Sequence, residues 1–171
     1  MSPSPTWNPP NPRDGAVIWT RAWRIVTYGD AFPQAARLYV ALGPESLVEG
    51  YELLFPLLDE RQLCHRHVRS PELLRAMEGL AAWAGKSVVI DPSPEADPEE
   101  VARALDAQLA GRGLIGPSLI AGAQPFGGRT GLVFLKRQEP RAEQGGARQW
   151  LARLLGEGRA AHEPRSAGVH G

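Results

Sequence analysis

Lysine and cysteine are the scarce residues of this 171-residue chain. Only Lys86 and Lys136 are lysines, which leaves seventeen arginines among the nineteen basic side chains, set against nineteen carboxylates. The charges cancel, and a balanced chain has no generic basic surface for duplex nucleic acid or for an anionic membrane. Cys64 is the single cysteine, so no intrachain disulfide forms and export has no support. No apolar run approaches the roughly 20 residues that span a bilayer. The Pro-rich start lacks the apolar stretch of a signal peptide. The expectation is a soluble cytoplasmic protein, with neither nucleic acid nor membrane as a partner.

What is present is ordinary globular material, 43% hydrophobic and 22% charged, enough for one domain with a real core. Residues 1–14 hold five prolines and no apolar period, which predicts a flexible arm. A domain over 15–156 and a flexible tail over 157–171 follow. Strand-like material runs from Ala16 to Tyr28 around a short break. In Arg37-Leu38-Tyr39-Val40-Ala41-Leu42, alternation puts Arg37 and Tyr39 on one face and Leu38 and Val40 on the other. After Gly43-Pro44, the spacing of Leu47, Tyr51, Leu54, Phe55 and Leu58 predicts a helix that Pro56 kinks or shortens. Leu63 to Val68 reads as a strand, and Ser70-Pro71 as the cap and first residue of a second helix. Ser87 to Ile90 is a short buried strand. An acidic loop then leads to a third helix opened by Asp97-Pro98. A glycine-rich stretch, a strand from Leu132 to Leu135 and a last helix around Trp150–Leu155 complete the chain. The fold class expected is α+β: a single domain with a mixed β-sheet and three to four helices.

Few side chains group for chemistry. His65 and His67 share one strand face while Cys64 and Arg66 take the other, so these ligand types do not meet at one ion and no metal site is expected. Gly127-Gly128-Arg129-Thr130-Gly131 lacks the Gly-Lys-Ser/Thr ending of a nucleotide loop and reads as a hairpin turn. The acidic loop at 91–100 reads as a solvated connection with helix-start carboxylates.

The order of segments is more informative than any one motif. Arg37-Leu38-Tyr39-Val40-Ala41, with a helix opened by Gly-Pro-Glu-Ser, resembles the lyase domain of class III and IV lanthipeptide synthetases, where the strand reads Lys-x-His-Val-Ser. Cys64-His65-Arg66-His67-Val68 falls where that family has Phe-Lys-Phe. Ala84-Gly85-Lys86-Ser87-Val88-Val89-Ile90-Asp91-Pro92 is similar to its Gly-Lys-Phe-x-x-x-Tyr-Pro strand. The resemblance spans about residues 16 to 137. The family is related to bacterial phosphothreonine lyases, so the resemblance implies a phosphothreonine-lyase-like fold. It also implies β-elimination of phosphate from phosphoserine or phosphothreonine, with no cofactor.

Position by position, the resemblance puts the family's general-base lysine on Arg66, its general-acid histidine on Tyr39 and the preceding lysine on Arg37. Its Gly-Lys lysine is Lys86, and its tyrosine is replaced by Asp91. Arg129, Lys136 and Arg137 lie where further phosphate-binding cations fall. A guanidinium stays protonated and is a poor base, and losing a positioned base costs on the order of 10²–10⁴ in rate. His65 or His67 titrates in the right range to substitute, though on a regular strand both face away from Arg66. Three readings stand. One is a degenerate lyase-like subunit that binds precursor peptide or phosphopeptide through Arg37, Arg66 and Lys86. The second is an active lyase with a rearranged acid–base pair, Tyr39 with His65 or His67, and the third an unrelated interaction domain. Under the first two, kinase and cyclase subunits of a synthetase complex are the expected partners.

Overall fold

The computed structural model describes residues 6–29 and 36–137. Along the chain run β1 (Ala16–Trp19), β2 (Trp23–Thr27), β3 (Ala36–Val40), α1 (Leu47–Glu60), β4 (Cys64–Val68) and α2 (Pro71–Met77). Then come β5 (Val88–Asp91), α3 (Pro98–Leu109), β6 (Gln124–Pro125) and β7 (Val133–Arg137). The last helix expected around Trp150–Leu155 and the tail over 157–171 lie outside the described residues. Among those described, no helix is long and apolar enough to cross a membrane.

The strands form one sheet in the order β1-β2-β4-β5-β3-β7-β6. The α+β fold is as expected, but every pair is antiparallel rather than mixed. The alternation of strands and helices in the chain has a specific origin. β3 and β4 run the same way with β5 between them, and β5 and β7 run the same way with β3 between them. The connections from β3 through α1 to β4 and from β5 through α3 to β7 therefore join parallel strands, each with an oppositely directed strand in the gap, whereas α2 joins the antiparallel neighbours β4 and β5.

Helices α1 and α3 cover one face. Leu38 and Val40 of β3, Val88 and Ile90 of β5, and Val133 of β7 meet Tyr51, Leu54 and Leu58 of α1 and Val101, Leu105 and Leu109 of α3. Tyr39, Val89, Phe134, Ile25 and Val68 point to the other face, where Leu74 and Met77 of α2 pack with Ile120. Both helix starts read from the sequence are built: Ser70 Oγ accepts from Leu73 N, and an Asp97 carboxylate oxygen accepts from Glu99 N, each ahead of a proline. Pro56 neither breaks nor shortens α1, which runs for 14 residues. Pro56 is exposed, so the carbonyl one turn earlier that loses its amide faces water instead.

Residues 6–14 form no regular element, yet Trp7 packs edge-on to Tyr51 with ring centroids 5.7 Å apart and against His67 at 5.0 Å. At the far end of β3, Gly116 lies so close to the chain that a Cβ there would come within 1.6 Å of the Ala41 carbonyl oxygen. Gly43 N donates to the Ile115 carbonyl at 2.8 Å, fastening the 112–123 loop across the end of that strand.

A candidate anion site on the α2 face

The period of two along β3 sends Arg37 and Tyr39 to the α2 face, and β4 sends Arg66 there. Cross-strand register brings them together. Arg66 is paired with Val89, which is paired with Tyr39, which is paired with Phe134. One row along, Cys64 is paired with Asp91, and Arg37 with Lys136. Arg37 Nε donates to Asp91 Oδ1 at 2.7 Å, closing that second row into an ion pair whose side chains are 22% and 3% exposed. Lys86 comes from the turn before β5. Its Nζ stands 5.4 Å from the Tyr39 ring centroid and donates to the Ala82 carbonyl at 2.8 Å.

Electrostatics follows from this crowding. Burial pushes the Tyr39 phenol above its ordinary value, although Arg37, which hydrogen-bonds it, and Arg66 pull the other way. Tyr39 thus holds its proton and is a donor rather than a base. Burial alone would weaken the Arg37 cation, but the Asp91 carboxylate beside it and its bond to Tyr39 raise its pKa. Arg66 is buried with its Cζ 4.8 Å from the Trp23 ring and 5.6 Å from the Trp83 ring. The two indoles are themselves in contact, ring centroids 5.5 Å apart, and a planar guanidinium stacks on such a pair better than an ammonium. Burial raises the Cys64 thiol, which therefore stays protonated.

Of the residues marked out by sequence, Arg37, Tyr39, Arg66, Lys86 and Lys136 share this face; His65 and Arg129 do not. His65 belongs to the α1 side, because a one-residue step along a strand reverses direction. There it is buried with His67 and Arg24 rather than half-exposed. Each Nδ1 meets a carbonyl oxygen, Leu63 at 2.7 Å and Val68 at 2.8 Å, which leaves each Nε2 as an acceptor. Tyr51 Oη donates to His65 Nε2 at 2.9 Å, and Arg24 donates to Tyr51 Oη at 3.1 Å and lies 3.4 Å from His67 Nε2. The Pro10 carbonyl accepts from Arg24 at 2.7 Å. Among the described residues no carboxylate pairs with Arg24. Burial drives His65 down to about 4 and His67 to about 3. Both are neutral structural acceptors on the wrong side of the sheet to serve Tyr39.

Arg129 lies beyond α3, its backbone N donating to Asp106 at 2.8 Å. The glycine-rich run is the expected hairpin turn, joining β6 and β7, with Gly127 and Gly131 at positive φ. A cavity of 510 Å³ is also here, between Arg103, Ala107, Ala110 and Phe126, on the opposite side of the sheet from Tyr39. Among the described residues, no group of three His, Cys, Asp or Glu side chains is placed to hold a metal ion.

Sequence reasoning placed Asp91 in a solvated loop, and it missed Trp23 and Trp83 altogether. Asp91 is the last residue of β5, buried. Its alternation with Val89 was the available signal, but its partner lies 54 positions away. The face as assembled offers cations for an oxyanion and one protonated hydroxyl, Tyr39.

No protein-family model matches the chain, and no curated protein matches it. Solved structures do. The phosphothreonine lyase effector VirA (SpvC) of Chromobacterium violaceum superposes with a TM-score of 0.59 at 11% identity, over 84% of this chain and 74% of that one. The type III effector and phosphothreonine lyase OspF of Shigella flexneri gives 0.56 at 9%, over 82% and 74%. The phosphothreonine lyase SpvC of Salmonella gives 0.55 at 11%, over 84% and 78%. At these identities the likeness shows the fold, a phosphothreonine-lyase-like one.

Proposed function

We propose that this chain is a lyase-like protein of lanthipeptide biosynthesis that holds a phosphorylated serine or threonine of a precursor peptide without eliminating it efficiently. Elimination needs a base to take the α-proton, so that its electron pair forms the Cα=Cβ double bond while the C–O bond breaks. The phosphate leaving group then needs cations and a proton donor. The single observation that carries the reading is the gathering of Arg37, Arg66 and Lys86 about Tyr39, with Lys136 across from Arg37 on the same face and a guanidinium against two indoles in the base's place. This supports a phosphate cradle with Tyr39 as a proton donor, while Arg66 cannot accept a proton. Separate kinase and cyclase proteins would phosphorylate the precursor beforehand and add thiols afterwards.

A second reading, an active lyase with Tyr39 as the acid, draws support from the contact of Tyr39 with Arg37 and Lys86. One experiment separates the two. Phosphorylated and unphosphorylated peptides are incubated with the protein, and both binding and loss of phosphoric acid by mass are followed. Phosphate-dependent binding that Arg37→Ala weakens at least tenfold, without elimination, is expected. Elimination that Tyr39→Phe abolishes establishes the active lyase. Absence of phosphate-dependent binding and of elimination overturns both.

A further inference from the structure

The loop from Ile115 to Ala123 links the two lysines of the anion site. At its middle, Pro117 Cγ and Ile120 Cγ1 stand 3.0 and 3.1 Å from where a Cβ of Gly85 would be, so it touches the residue next to Lys86. At its end, Lys136 Nζ is 3.9 Å from the corresponding point on Gly122. Ile120 plugs the loop into the same core as Tyr39 and Phe134. Within the first anchor, between Pro117 and Ile120, sits Leu119, 76% exposed and the most exposed large hydrophobic side chain among the described residues. Leu80, 54% exposed, opens the turn that carries Trp83 and leads to Lys86. Scattered exposed leucines need no explanation. Here one crowns a pinned loop between two cations, and the other starts the turn packed beside it.

From this placement we infer that the site takes a phosphopeptide with a bulky apolar residue adjacent to the phosphorylated one, received by Leu119 with Leu80. This rests on the phosphopeptide-binding reading above and deepens it. Charge complementarity fixes the phosphate on Arg37, Lys86 and Lys136. A neighbouring peptide side chain, about 3.5 Å of chain per residue away, then falls on the loop that joins those lysines. The cations confer affinity for any phosphorylated residue, while the leucines discriminate by sequence context. Burying one Leu-sized contact corresponds to roughly tenfold or more in affinity.

The test uses the full chain and two phosphoserine peptides, identical except that leucine or glycine flanks the phosphorylated residue. Fluorescence anisotropy is expected to show the leucine peptide binding about tenfold tighter, and Leu119→Ser, which adds no charge, is expected to abolish that preference, read as the ratio of the two affinities. Leu80→Ser, in a separate turn, is expected to reduce it in the same direction. Equal binding of both peptides, still weakened by Arg37→Ala, overturns the apolar preference and leaves the anion site standing. Binding of neither peptide overturns the phosphopeptide reading itself and this inference with it.

Discussion

Lowering the pH from 7 to 5 offers protons to histidines that the unfolded chain accepts and the folded chain refuses. His65 and His67 are each held neutral by a donor aimed at Nε2 and an acceptor at Nδ1. Protonation would set a second buried charge beside Arg24, which among the described residues has no carboxylate partner. Their folded values of about 4 and about 3 lie below the ordinary 6.5. Between those limits the unfolded state binds more protons, so stability rises with pH; it is full above 6.5 and lost as pH falls toward the folded values. For each histidine the loss from pH 7 to 5 works out at about 2 kcal/mol, so together about 4 kcal/mol, a large part of the 5–15 typical of a domain. Urea titrations at pH 7, 6 and 5 read this directly as a falling midpoint. His65→Gln and His67→Gln should each remove about half of the pH slope, whatever they do to stability at pH 7. A midpoint that does not move between pH 7 and 5, or a full slope kept in both variants, would refute the account of the network.

Asp106 accepts from Arg129 N, Thr130 N and Thr130 Oγ1, so Asp106→Ala should cost about 2–4 kcal/mol. A lower melting temperature with faster amide exchange at 129 and 130 is expected, and unchanged exchange there contradicts it. Gly116→Ala drives a methyl into the Ala41 carbonyl, with backbone on both sides to absorb it. It should destabilise by about 3 kcal/mol or more, and an unaltered thermal midpoint would mean that the loop is not fastened there. Arg66→Lys places an amine against the Trp23–Trp83 pair, where burial lowers its pKa toward that of a base. On the proposed reading, elimination from a phosphopeptide, followed by mass, should then rise by about 10² or more over the parent protein; no rise removes Arg66 as the block to catalysis.

Local rules carried the reading of elements a long way. Alternation in Arg37–Leu42 and Cys64–Val68 assigned each side chain to its face, and Ser70-Pro71 and Asp97-Pro98 marked helix starts that the fold uses. Strand order was not legible, because antiparallel neighbours such as β3 and β5 pair across a helix, a strand and a further helix. The same distance hid the Arg37–Asp91 pair and the partners of Arg24, which come from Pro10, Tyr51 and His67. At Pro56 the shortening does not occur, since the cost of a helical proline depends on whether the orphaned carbonyl meets water, which an isolated motif does not disclose.

The interleaved crossovers also decide when the anion site comes into being. Tyr39 stands on β3 and Lys86 precedes β5, yet these neighbours are joined only after α1, β4 and α2 have been laid down. Closing such long loops must precede the contacts that reward it, which slows folding in proteins of this kind. During synthesis, a nascent chain released only as far as β4 exposes Arg37 and Arg66 without the strand that separates them and without Asp91. On the proposed phosphate-binding reading, a ligand that needs all four cations engages only chains that have completed the sheet.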